Sequence, residues 1–269
     1  MTNSLHAFAI SLDQIQYYLL MFTRVITMLA LMPIFGASYI PVQVKAGLGL
    51  LLTSALFSVQ LAAGLPEFPG AFTLGLFFML VVKEALVGLA IGFATTFLFA
   101  AVQFAGRMVD TEMGLGFVET TDPITGEMST VLGQFQVILF TIMFLLFNGH
   151  YFMLITVQKS FDLIPLFAGN FPAVPMTDLI TKMTADIFIL GLKLAAPVFV
   201  VLFLTQIALA IVARTVPQMN IFFVGLPLKI GVGMCTMIIV LPMLVALFRR
   251  MSEWLIQDVW KLLYIMSGG

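Results

Sequence analysis

Ala185-Asp-Ile-Phe-Ile-Leu-Gly-Leu-Lys-Leu-Ala-Ala-Pro-Val-Phe-Val-Val-Leu-Phe-Leu-Thr-Gln-Ile-Ala-Leu-Ala-Ile-Val212 is an apolar run broken only by Asp186, Lys193, Thr205 and Gln206. About 20 apolar residues suffice for a helix to cross the hydrocarbon core of a bilayer, and this run is longer. A membrane strand would instead alternate apolar and polar residues over short stretches. Inside a bilayer every backbone polar group must be satisfied by the chain itself, so only helices and closed barrels span it. The unbroken run selects the helix.

The same character repeats in both directions. A first segment runs from about Ile15 to Phe35 and contains Arg24; a second runs from about Ala46 to Leu65, introduced by Pro41 and Lys45. A Pro66–Pro69 turn leads to a stretch from about Ala71 to Ala105, with Lys83 and Glu84 a third of the way along. It reads as one tilted helix or two shorter pieces. A fourth segment covers about Val131 to Phe147 and runs on toward Asn148, Gly149 and His150. Residues 158–182 are more polar, carry Pro165, Pro172 and Pro175, and read as a loop. The sixth segment, about Ile221 to Phe248, holds Pro227, Lys229 and Pro242. The fold expected is therefore all-α, a polytopic helical membrane protein of about six apolar segments. No linker is long or polar enough to divide residues 1–269, so one domain is expected.

Composition agrees. Apolar residues make up 61% of the chain and charged residues 9%, whereas a soluble domain carries about 25% charged residues. Membrane lipid and other protein are the expected neighbours. A net charge of −1 argues against nucleic acid or an acidic surface as the main partner. The single cysteine, Cys235, lies in an apolar run and reads as a small packing residue. Residues 1–16 lack a basic n-region and a small-residue cleavage site, so the first apolar segment is expected to remain in the mature protein.

The tail has a different pattern. Met251, Trp254, Leu255, Val259, Leu262, Leu263 and Met266 recur at helical spacing, with Glu253, Gln257, Asp258 and Lys261 between them. That is an amphipathic helix over 251–266, suited to the membrane surface or to a partner. Arg249, Arg250 and Lys261 put it on the cytoplasmic side by the positive-inside rule. Elsewhere basic residues do not alternate clearly between loops. Pro41 and Lys45-Ala-Gly-Leu-Gly49 echo Pro227 and Lys229-Ile-Gly-Val-Gly233, a faint internal repeat.

Arg24, Lys83, Glu84, Lys193, Arg214 and Lys229 lie within or at the edges of apolar segments. A charge at the middle of a spanning helix costs about 2.5–3.5 kcal/mol on insertion scales, so such groups face protein or a wet cavity. Arg24 and Arg214 also admit a simpler reading, with long stems that snorkel to an interface. Lys83 and Glu84 point about 100° apart on a helix; they do not neutralise each other, and each needs a partner elsewhere.

Residues 107–129 read as an acidic loop, with Asp110, Glu112, Glu119, Asp122 and Glu127 against Arg107. Gly114, Gly116 and Gly126 loosen it, and an apolar knuckle, Met113-Gly114-Leu115-Gly116-Phe117, sits in its middle. It reads either as a solvated loop or as a plug facing a pore. The carboxylate spacing matches no EF-hand, and no metal or other cofactor is expected. Gly88-Leu-Ala-Ile-Gly92 is a GxxxG that lets helix backbones approach. His6 and His150 sit in no metal-ligand pattern, and no nucleotide loop, nucleophile elbow or paired-aspartate motif is present. No enzyme activity is expected, and any transport must draw on an ion gradient or a partner.

The stretch Arg214-Thr-Val-Pro217-Gln218-Met-Asn220-Ile-Phe-Phe-Val-Gly-Leu-Pro-Leu-Lys229-Ile-Gly-Val-Gly233 resembles the signature of the FliR/SctT family of type III export-gate proteins. Pro41-Val-Gln-Val-Lys45-Ala-Gly-Leu48 and Glu112-Met-Gly-Leu-Gly-Phe117 support the likeness, as do length, segment order and the amphipathic tail. It extends over nearly the whole chain, and the Val-Pro-Gln-Met-Asn wording is more flagellar than injectisome. The resemblance implies a bacterial inner-membrane protein of the flagellar basal body. It implies assembly with FliP-like and FliQ-like subunits into a helical pore for unfolded export substrates, with FlhB-like and FlhA-like proteins adjoining. It further implies that Met113–Phe117 contributes a plug, and that Lys45, Lys83, Glu84, Lys193, Arg214, Pro217, Gln218, Asn220 and Lys229 serve subunit packing or buried charge. The residues alone also allow a self-contained ion-coupled transporter, with Glu84, Lys193 and Lys229 at a midplane site and Pro197 and Pro227 breaking its helices.

Overall fold

A computed structural model of the chain describes residues 12–37, 40–64, 73–115, 120–121, 128–129, 131–167, 173–216, 218 and 220–267. Gly116, Phe117 and Pro217 lie outside them. Among the described residues seven helices follow in the order α1 (Leu12–Leu31), α2 (Val42–Ala63), α3 (Leu74–Met113), α4 (Val131–Leu146), α5 (Gly149–Leu163), α6 (Ala173–Thr215) and α7 (Ile221–Met266). A two-residue antiparallel ladder, β1 (Thr120–Thr121) on β2 (Met128–Ser129), lies between α3 and α4.

Among the described residues four helices, α2, α3, α6 and α7, are long and apolar enough to cross a membrane, and α4 with α5 makes a fifth if that broken pair is one span. The chain is an all-α polytopic membrane protein. Of the segments read from sequence, α1 does not qualify, and the fourth does so only with α4 joined to α5. Helix α1 carries Asp13, Gln14, Gln16 and Arg24, and it buries Gln16 and Arg24.

Several boundaries differ from expectation, each for a local reason. The stretch expected over about Ala71 to Ala105 is, from Leu74 on, one 40-residue helix, which continues to Met113 where a loop was expected. Val102, Ala105, Val109, Asp110 and Met113 are all fully buried; this stripe of period three to four keeps the chain helical despite its charges. Of the expected loop over 158–182, the residues up to Leu163 belong to α5 and those from Ala173 on to α6, and Pro172 lies outside the described residues. Pro165 falls just beyond α5, and Pro175 lies in the first turn of α6, where a missing N–H costs nothing. Between α4 and α5 the helix breaks at Asn148, whose φ of 58° is left-handed, a conformation Asn tolerates better than most residues.

The expected amphipathic tail is the end of the continuous α7. Met251, Leu255, Val259, Leu262, Leu263 and Met266 are buried by the chain's own packing, so the apolar stripe is not a free membrane-surface face, and Trp254 stands outside it at 40% exposed. Cys235 is exposed and does not fill the core. The inward positions near it are Gly233, Thr236 and Met237, the i, i+3, i+4 spacing that leaves 235 facing out.

The chain divides into two compact units: Met1–Thr96 with Met153–Met176 and Val259–Gly269, and Phe97–Phe152 with Thr177–Asp258. In the first, α1 is gripped by two helices. Toward α2, Gly49 admits Phe22 and Ile26, and Tyr18 Oη donates to Leu50 O at 3.1 Å. Toward α3, Gly88 and Gly92 face the α1 backbone. A Cβ at Gly88 would strike Thr27 Oγ1 and Arg24 O, and one at Gly92 would lie 2.8 Å from Met28 O. The GxxxG is a seat for α1, with the backbone approach that small residues permit. In the second unit, Phe140 meets Phe99 and Phe248 edge-on, with centroids 4.8 and 4.9 Å apart.

Candidate functional site

In the first unit, Arg24 is fully buried and makes bonds through three nitrogens. Nε donates to Glu84 Oε2 at 2.6 Å, Nη1 to Ser160 Oγ at 2.9 Å and Nη2 to Ile164 O at 2.9 Å. Its guanidinium lies 4.2 Å from the centre of the Phe161 ring. The snorkelling reading of Arg24 is thus incorrect; the planar fork and weaker hydration of guanidinium suit such a buried position. Glu84 is equally buried, and its Oε1 has no hydrogen-bond partner among the described residues.

Lys83 leaves the helix in a different direction and donates to Pro165 O at 3.0 Å and Leu166 O at 3.2 Å. The last carbonyls of a helix have no partner within it and carry partial negative charge. Here cations from α1 and α3 serve the carbonyls that follow the end of α5. Adjacent residues 83 and 84 therefore do separate work, as their angular separation required. Ser160 and the 164–166 carbonyls left no mark in the sequence, because a serine in an apolar helix and a backbone oxygen look alike in every context.

In the second unit the stem of the 107–129 segment is built from short contacts. Buried Asp110 accepts from the backbone N–H of Leu132 at 3.0 Å and of Gly133 at 3.1 Å. A Cβ at Gly106 would land on Gly133 Cα, so α3 and α4 meet backbone to backbone. Met113 is fully buried, and a Cβ at Gly233 would come within 2.6 Å of its Cε. Gly114 follows with φ +80°, a left-handed turn that frees the chain from α3. Leu115 is half-buried.

The remaining candidates are dispersed. Lys45 Nζ donates to Gly36 O at 2.8 Å. Lys193 Nζ lies 5.5 Å from the Trp254 ring centre, and Lys229 donates to Gln206 Oε1. Glu84 belongs to the first unit, and Lys193 and Lys229 to the second, each with its own neighbour. Arg214 is exposed in the last turn of α6, where a cation complements the terminal carbonyls. Gln218 and Asn220 are exposed in the α6–α7 connection. The two Lys-x-Gly-x-Gly stretches match in use. Gly47 and Gly231 face open space, whereas Gly49 admits Phe22 and Ile26, and Gly233 admits Met113.

Residues 15–254 match the model of the family described as bacterial export proteins, family 1. The chain is 33% identical over 259 residues to the flagellar biosynthetic protein FliR of Bacillus subtilis (strain 168), across 95% of this chain and 98% of that protein. It is 33% identical over 241 residues to the flagellar biosynthetic protein FliR of Escherichia coli (strain K12), across 89% and 88%. A shorter overlap of 153 residues, 56% of this chain, is 30% identical to the surface presentation of antigens protein SpaR of Shigella sonnei.

Proposed function

The chain belongs to the bacterial export proteins, family 1, and from that membership we propose that it is a core, non-enzymatic subunit of a flagellar type III export gate. It sits in the bacterial inner membrane at the flagellar basal body. There it joins FliP-like and FliQ-like subunits in the pore through which unfolded substrates leave the cytoplasm, with FlhB-like and FlhA-like proteins adjoining. Met113–Phe117 helps plug that pore when it is closed.

The observation that carries this reading is the end-to-end likeness to a protein named for flagellar biosynthesis, 95% of one chain against 98% of the other. The likeness to the protein named for surface presentation of antigens covers 56%, and the fuller likeness supports the flagellar reading. Two features of the fold support an assembled state. The outward faces of α2, α6 and α7 are strongly apolar, with Leu51 71%, Leu204 58% and Ile239 77% exposed, and such faces need lipid or neighbouring helices. Lys229 and Gln206 pair on the outer surface of long apolar helices, a polar contact that neighbouring protein covers at lower cost than lipid. The plug role is supported by Met113 in its Gly233 seat and by the turn at Gly114.

The deciding experiment is native mass spectrometry of the tagged protein, solubilised gently after co-expression with its neighbouring genes. A defined complex with several copies of small helical membrane partners is expected. A homogeneous monomer or homodimer would sink the reading. For the plug, trimming Met113–Phe117 is expected to make the membrane leaky to small solutes.

A further inference from the structure

Asp110 occupies an unusual place for a carboxylate. It is fully buried near the end of α3, yet it serves the beginning of another helix. The first N–H groups of a helix have no partner within it, and a side-chain oxygen just before the helix normally accepts from the second or third of them. In α4 those positions are Leu132 and Gly133, and both donate to Asp110 Oδ2, at 3.0 and 3.1 Å. The cap thus comes from 22 residues upstream, on a different helix. Its negative charge also meets the positive end of the α4 dipole.

Two further contacts flank this cap. Gly106 and Gly133 touch backbone to backbone four residues before the carboxylate, and Met113 lies on Gly233 three residues after it. Resting on the plug reading above, we infer that Asp110 is the positioning residue of the plug. By capping α4 it sets where that helix begins against α3, and thereby holds Met113 in its seat. A hydroxyl or amide oxygen at residue 110 could accept both bonds only as a neutral group; the carboxylate oxygen that takes both donors adds charge, which strengthens each bond.

The test is hydrogen exchange on the purified full-length protein in its complex, with solute leakage measured in the cells that produce it. Asp110→Ala is expected to speed exchange at Leu132 and Gly133 by about two- to thirtyfold, the usual range for losing a cap. Amides from Val137 onward should be unchanged. Asp110→Asn, which keeps shape and an acceptor, should give a smaller rise at the same two amides and serves if the alanine variant does not accumulate. Unaltered exchange at both amides overturns the cap. Leakage separates the two ideas. If trimming Met113–Phe117 leaks while the Asp110 variants exchange faster yet stay tight, the positioning role is wrong and the plug stands. If the trimmed protein is itself tight, the plug reading fails, and a positioning role for Asp110 falls with it.

Discussion

Arg24 Nε and Glu84 Oε2 lie 2.6 Å apart with both side chains fully buried, joining α1 to α3 by an ion pair inside a membrane protein. The pair is tied to α5 as well, through Ser160 and Ile164 O.

Breaking that pair from one side should be worse than removing it. Arg24→Met strands the Glu84 charge, and the loss of one partner of a buried pair costs about 3–5 kcal/mol. The double variant Arg24→Met/Glu84→Leu should recover part of this. It will not recover all, because Ser160 Oγ and Ile164 O also lose their donor, at about 1–3 kcal/mol for each orphaned group. Thermal unfolding in detergent compares the two variants with the native chain. Equal losses in the single and the double would show that the stranded Glu84 charge is not what destabilises Arg24→Met.

Gly88 and Gly231 should respond oppositely to the same substitution. Gly88→Ala drives a methyl into Thr27 and the Arg24 carbonyl, with overpacking worth about 1–3 kcal/mol. Gly231→Ala meets nothing within 4 Å and should gain about 0.5–1 kcal/mol from helix propensity. A stabilised Gly88→Ala would refute the close approach of α1 and α3.

Lys83→Met should expose the end of α5. With the ammonium gone, Pro165 O and Leu166 O lose a donor, and backbone exchange at Leu166 and Phe167 should rise several-fold. Lys83→Arg keeps donors within reach and should stay near the native rate. Identical behaviour of the two variants would argue against the capping role.

Met113 and Gly233 should be energetically coupled. Met113→Ala removes a fully buried side chain, at about 2–5 kcal/mol. Gly233→Ala pushes on the Met113 terminus. In the double variant the new methyl at 233 fills space vacated by Met113, so the combined loss should fall below the sum, a non-additivity read by a double-mutant cycle. Strict additivity would mean the two do not touch.

Composition and pattern were enough to establish an all-α membrane chain, because spanning helices must be long, apolar and self-satisfied whatever surrounds them. They were enough, too, to single out Lys83 and Glu84 as needing separate partners, since helix geometry is local. Gly88 and Gly92 were visible as a pair for the same reason. Pairings made across long separations were not legible. The Arg24–Glu84 pair spans 60 residues and the Arg24–Ile164 bond 140, and no local pattern encodes which distant group will be adjacent. Asp110 read as one acid among several in a loop, although Gly106, Val109 and Met113 already spaced it on a buried helical face. Its partners are two backbone N–H groups, and every residue but proline has one. Only the packing of α3 against α4 selects those of Leu132 and Gly133.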